Sequence, residues 1–262
     1  MIRHFALIAA VALGNLLAED IVSSTFISTE QMIPLLGSGE DASSYAPDGG
    51  GPAGATFELA GGGKCDVWMR DNAARMHNGG AVAITLAGKN ADAILTISAD
   101  ISFEALPPDE ELLDSSKEPL PEAQIGAMKA AMRSGVALLG FYSELPKLEY
   151  ANMLNAFTGF QVSFDGSLQL FINGQPSGPP APFAGTFDPA EPRKLTCSVN
   201  TRTGAVVKVE FESSSTPYDF STTGFTKDAT AFAGIGGTLG NQALHAEFRN
   251  FLVRSEAAAT PP

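Results

Sequence analysis

Hydrophobic and polar positions alternate with the period of two of a β-strand along much of the chain. The clearest instance is 160–174, FQVSFDGSLQLFING. Phe160, Val162 and Phe164 fall on one face of this ribbon, and Gln161 and Ser163 on the other. Leu168, Leu170 and Ile172 return along the same apolar face. Asp165-Gly166 between the two runs predicts a hairpin closed by a type I′ turn, which needs left-handed backbone at both central residues. Asn173-Gly174 repeats that chemistry before a proline-rich loop reaching Pro192.

The same alternation predicts strands at 55–60, 65–70, 81–86, Ala93–Phe103 and 136–143. In the 65–70 run, CDVWMR, Asp66, Trp68 and Arg70 share one face, and Val67 and Met69 the other. Further on, 194–199 directs Leu195, Cys197 and Val199 inward. After a turn at 201–204, Ala205, Val207, Val209 and Phe211 point in, while Lys208, Glu210 and Glu212 point out. A small-residue strand follows at 229–235. The closing strand, ALHAEFRNFLV, faces Leu244, Ala246 and Phe248 inward, with His245, Glu247 and Arg249 outward. Its phase slips near Asn250, where Phe251 and Val253 become the apolar pair; one extra residue in a β-bulge does this.

One stretch breaks the pattern. LPPDEELLDSSKEPLPEAQIGAMKAAMRSG carries an acidic, proline-rich run, with Asp109, Glu110, Glu111 and Asp114, and then helical spacing over Glu122–Met132. Pro121 suits the first turn of that helix and Gly135 its end. The acidic run fits a solvated loop. About ten alternating strands with a single helix predict an all-β protein. Two antiparallel sheets would each keep one wet face and pack as a β-sandwich with jelly-roll connections.

Composition narrows the function. Of the 262 residues, 17% are charged, against 44% hydrophobic, with 27 Gly and 17 Pro, as a turn-rich chain with a large core requires. The net charge of −13 opposes nucleic acid, and Arg193-Lys194 is the one small basic cluster. The N-terminus, MIRHFALIAAVALGNLLAED, sets Arg3 and His4 before an apolar run too short to span a bilayer. It predicts a signal peptide at residues 1–18, cleaved after Ala18, then one domain over 19–256 and a mobile tail at 257–262. A secreted, periplasmic or cell-surface location follows, and no integral membrane protein. Cys65 and Cys197 permit one disulfide in such a compartment; the alternative is two separate buried thiols.

Several constellations hold candidate chemistry. Asp66, Trp68, Arg70, Asp71 and Asn72 combine the only tryptophan with planar hydrogen-bonding groups, as a sugar site does: the ring covers the apolar pyranose face and the polar groups meet hydroxyls. The alternative buries Trp68 in the core. His245 and Glu247, two residues apart on one strand face, could pair as base and orienter, against the plainer reading of a solvated face. GIGGTLG at 234–240 fits a turn between strands rather than a phosphate loop. No catalytic residue, metal site or cofactor is derived from these patterns, and calcium is not derivable.

FTGFQVSFDGSLQLFING, RKLTCSVNTRTGAVVKVEF, HAEFRNFLV and the earlier DGGGPAGATFELAGGG resemble the concanavalin A-like lectin/glucanase superfamily, in particular its laminin-G-like and bacterial extracellular members. The likeness spans 22–256. The Glu-x-Asp-x-x-Glu strand motif of the glucanases is absent; Glu144 and Glu149 stand five apart around Pro146. The expectation is therefore a non-catalytic module that recognises carbohydrate or an extracellular protein. The rivals are a glycoside hydrolase or lyase of the same fold, and an envelope component without a small ligand.

Overall fold

The computed structural model describes residues 18–27, 33–36, 45–59, 66–77, 80–113, 117–145, 154–215, 217–237 and 244–258. Its strands in chain order are β1 (Glu19–Ser24), β2 (Ile33–Leu36), β3 (Glu58–Leu59), β4 (Asp66–Arg70), β5 (Ala73–His77), β6 (Ala81–Thr85) and β7 (Ala93–Phe103). After α1 (Glu122–Met132) come β8 (Val136–Tyr142), β9 (Phe157–Ser163), β10 (Leu168–Ile172), β11 (Gln175–Pro176), β12 (Arg193–Asn200), β13 (Ala205–Phe211), β14 (Phe232–Gly237) and β15 (Ala246–Ala257).

They form two antiparallel sheets. One runs β13-β12-β7-β15-β5-β4-β2, with β1 added beside the second half of β15; the other runs β11-β10-β9-β8-β14-β6-β3. Inward residues of both, among them Ile97, Ile101 and Phe248 from the first and Leu139, Phe160 and Val162 from the second, fuse into one buried core. Burying each such side chain stabilises the fold by roughly 1.5–3 kcal/mol. The all-β, two-sheet expectation is met.

The 160–174 ribbon is a hairpin with the predicted shared apolar face, Val162 lying opposite Leu168 and Phe160 opposite Leu170. Its turn differs from expectation. Gly166 N–H donates to Ser163 O at 2.8 Å and Gly166 alone takes positive φ, +82°, so the loop is a type I turn followed by a left-handed glycine. Asp165 instead accepts from Ser167 N–H at 2.9 Å. The type I′ turn lies one step on, at Asn173-Gly174, with φ of 48° and 76° between paired Ile172 and Gln175.

The slip at Asn250 is a β-bulge. Arg249 pairs with Asp100 and Leu252 with Ser98, leaving two residues against one, and Asn250 adopts φ 51°. A second bulge was not legible. Ser198 pairs with Lys208 but Val199 with Val206, so Val206 packs on the core and Val207, expected inward, is 54% exposed. β5 was also not anticipated, and the 55–60 strand shrinks to β3. The small-residue strand starts at Phe232, after a 3-10 turn over Asp228–Thr230. The closing strand runs to Ala257, and Ala258 N–H reaches Asp92 O at 2.9 Å. The signal segment 1–17 lies outside the described residues. No helix among the described residues is long and apolar enough to cross a membrane.

The outer faces of the two sheets differ. On the seven-stranded sheet Gly159, Gly140, Gly234 and Ala83 form one cross-strand row. The rings of Phe157 and Tyr142, with centroids 5.3 Å apart, lie over it: Phe157 against Gly140 and Gly159, Tyr142 against Gly234. Both are fully buried, with Leu138 and Phe171 in the same second cluster. At the other sheet's border, Asp48 holds the chain after β1. Its carboxylate accepts from Thr25 N–H at 2.7 Å, Ile27 N–H at 3.0 Å and the Tyr45 hydroxyl at 3.0 Å.

Candidate functional site

The outer face of the eight-stranded sheet is polar and is built from cross-strand rows. Trp68 lies opposite Arg75, Arg75 opposite Glu247, and Glu247 opposite Ser102, across β4, β5, β15 and β7. Register makes neighbours of residues nearly two hundred positions apart in sequence. Val67 and Met69 take the core side of β4, so Trp68 points away from the core and is half-buried. Of the two readings of Trp68, burial in the core is the one the structure overturns.

Glu247 is the centre of the row. Its side chain is 9% exposed and is gripped from both sides, by Arg75 Nη2 at 2.9 Å and Arg249 Nη2 at 2.8 Å. Arg249 Nη1 also donates to Ser102 Oγ at 3.1 Å. A carboxylate held by two guanidinium groups is a fixed hydrogen-bonding platform, because its own charge is compensated where water is scarce. Arg75 reaches further, to Asp71 Oδ2 at 3.3 Å, which also meets Arg70 Nε at 3.4 Å.

Asp71 and Asn72 have a structural task that sequence reasoning missed. With φ of 53° and 54° between paired Arg70 and Ala73, they form the type I′ turn joining β4 to β5. The Asp-Asn pair before an alternating run was the available signal. The structure thus brings together Trp68, Arg70 and Asp71 with Arg75, Glu247 and Arg249. Asp66 opens β4, and its side chain lies outside the described residues.

The other candidates separate. His245 Nδ1 lies 3.4 Å from Glu104 Oε2, while Glu247 belongs to the two arginines; the structure does not favour the dyad over the plainer reading of a polar strand face. His245 precedes β15, where its carbonyl accepts from Glu104 N–H at 3.0 Å, and this sets the two side chains beside one another. Asp109, Glu110 and Glu111 sit exposed in a 3-10 turn, Asp109 pairing with Lys129 of α1. Asp114 and Glu149 lie outside the described residues, and Glu144 is exposed. Of GIGGTLG, the first four residues form the end of β14 rather than a turn, and the rest lie outside the described residues.

Cys197 is a free thiol facing the core, paired in register with Ile97 and Val209, and burial pushes it well above the ordinary thiol range. It follows the separate-thiol alternative; Cys65 lies outside the described residues. Among the described residues no group of three or more His, Cys, Asp and Glu is arranged to hold a metal ion.

No protein-family model matches the chain, and no curated protein matches it. Among solved structures it is similar to lectin II from Ulex europaeus, at 8% identity and TM-score 0.47 over 91% of this chain and all of that one. It is also similar to the metal-free Emp46p carbohydrate recognition domain, at 13% identity and TM-score 0.44 over 85% and 94% of the two chains. A third is arcelin-5, a lectin-like defense protein from Phaseolus vulgaris, at 9% identity and TM-score 0.43 over 78% and 99%. None of these three carries the laminin-G-like part of the expected resemblance. The two-sheet architecture rests on the strand pairings described above, and these likenesses add no ligand to it.

Proposed function

We propose that this chain is a non-catalytic binding module that recognises carbohydrate on the outer face of its eight-stranded sheet, around Trp68, and that it acts outside the cytoplasm. The observation that supports this is the outward orientation of the single tryptophan beside Arg75, with the Arg75–Glu247–Arg249 row extending from it. The ring offers an apolar surface to a pyranose, and the guanidinium and carboxylate edges offer directional hydrogen bonds to hydroxyls. Glu247 serves here as an anchor for the arginines rather than as an acid or base.

A glycan array with the purified chain and with Trp68→Ala tests the reading. Loss of the ring is expected to weaken binding about tenfold, as aromatic contacts of roughly 0.5–1.5 kcal/mol beyond area burial imply. An array without any bound glycan, or equal binding by Trp68→Ala, would refute it. Release of sugar from a bound glycan would replace it with a hydrolase.

A further inference from the structure

A concavity opens at the opposite end of the same sheet, where the outer face meets the sheet edge. A cavity of about 710 Å³ wraps the free edge of β13, walled by Val207, Pro217 and Tyr218 and by the polar groups of Lys194, Thr196 and Glu210. Its volume lies in the range of small-molecule sites. The bulge in β13 creates its lip, because the slip after Val206 turns Val207 outward. The Tyr218 ring is held in place by stacking on Phe220, with planes 9° apart, and Phe220 packs in turn on Phe160 of the core.

Strand order fixes how far this cavity lies from Trp68. From β4 to β13 the sheet takes five steps, through β5, β15, β7 and β12. At 4.7–4.9 Å per step the separation is about 24 Å. Between the two ends the row Arg249–Asp100–Lys194, half-buried at its first two members and exposed at Lys194, crosses β15, β7 and β12. Arg249 in this row is matched by Glu247, and Asp100 accepts a hydrogen bond from the neutral Asn250 amide at 2.5 Å; beside the cavity, Lys208 pairs with Glu210 at 2.6 Å.

Resting on the carbohydrate reading above, we propose that the ligand is an extended, uncharged polysaccharide lying across the strands, with one end on Trp68 and the other in the cavity of Tyr218. A monosaccharide cannot touch both ends. The one exposed lysine of the row, Lys194, is too little to hold a polyanion against the net charge of −13. Two subsites on one rigid sheet act as linked sites, so affinity should rise sharply once a ligand is long enough to bridge them.

Calorimetry with cello- and manno-oligosaccharides from disaccharide to octasaccharide, and with polygalacturonate oligomers as the charged control, reads this directly. The expected result is a rise of about 100-fold in affinity as the ligand length passes 24 Å, with no corresponding rise for the charged series. Tyr218→Ala should return the long ligands to the affinity of the disaccharide. Val207→Arg, which fills the lip from an exposed position, should do the same without disturbing the core. Affinity independent of length, or a rise that survives both variants, overturns the bridging ligand while binding that depends on Trp68 keeps the simpler module. If none of these neutral sugars binds, the bridging ligand is overturned, and a blank glycan array identifies the failure as that of the carbohydrate reading itself.

Discussion

Gly140 and Gly159 face one another across β8 and β9 so closely that a Cβ on either would stand 2.6 Å from the other's Cα. The ring of Phe157 fills the space that two side chains would otherwise claim, within 3 Å of both ideal Cβ positions. An aromatic laid over paired glycines restores contacts that glycine lacks and stiffens a weak point of the sheet.

Gly140→Ala should therefore destabilise the fold by about 2 kcal/mol, the usual size of an overpacking penalty, and Gly159→Ala by a similar amount. Urea unfolding is the measurement, with the midpoint shifted and the slope unchanged. Gly126, in α1 and with open space around it, is the control, where alanine should stabilise slightly.

Glu247→Leu leaves the half-buried Arg249 guanidinium without its counter-charge and Arg75 with Asp71 alone, and is expected to cost about 3 kcal/mol. Replacing Arg75, Glu247 and Arg249 together by Met, Leu and Met should cost much less than Glu247→Leu alone, since no orphan charge remains. Equilibrium unfolding of the single and triple variants separates the two outcomes.

Asp48 gives a pH dependence of known sign. Burial raises its carboxyl, but the hydrogen bonds from Ile27, Thr25 and Tyr45 outweigh this and leave it below its ordinary value; burial chiefly pushes Tyr45 up to about 12. A lowered carboxyl stabilises the fold above its unfolded value, about 3.9, and that contribution is lost as the pH falls through the folded value. The stability gap between the native chain and Asp48→Asn should be constant from neutral pH down to about 4 and shrink below it. Thermal melts across that range read it.

Cys197 should be silent to thiol reagents at pH 8 in the folded protein, because the thiolate is the reactive form and burial suppresses it. In a Cys65→Ser background, modification should be slowed about a thousandfold or more relative to denatured chain, reporting global opening. Rapid labelling under native conditions would contradict the buried position.

Local alternation made the ribbon of β9 and β10, the helix Glu122–Met132 and the bulge at Asn250 legible, because each is a relation between near neighbours in sequence. The failures have a common cause. Whether Val207 points in or out depends on its register against β12, and the turn at Asp165 on the pairing of Ser163 with Ser167. The sequence could split Trp68 from Val67 and Met69, but only the opposing sheet decides which side is the core. The arginine pair on Glu247 was hidden for the same reason: Arg75 and Glu247 meet through strand order. The glycine row had a faint signal in the recurrence of glycine within otherwise apolar strands.

The position of β15 carries a last consequence. The strand β15, which follows the other strands of its sheet in the chain, is an interior strand, bordered by β7 on one side and by β5 and β1 on the other. Until it arrives, three earlier segments expose unmatched backbone edges. Its long-range pairings make folding slow. Those edges stay open to association until the twelve residues of β15 have paired.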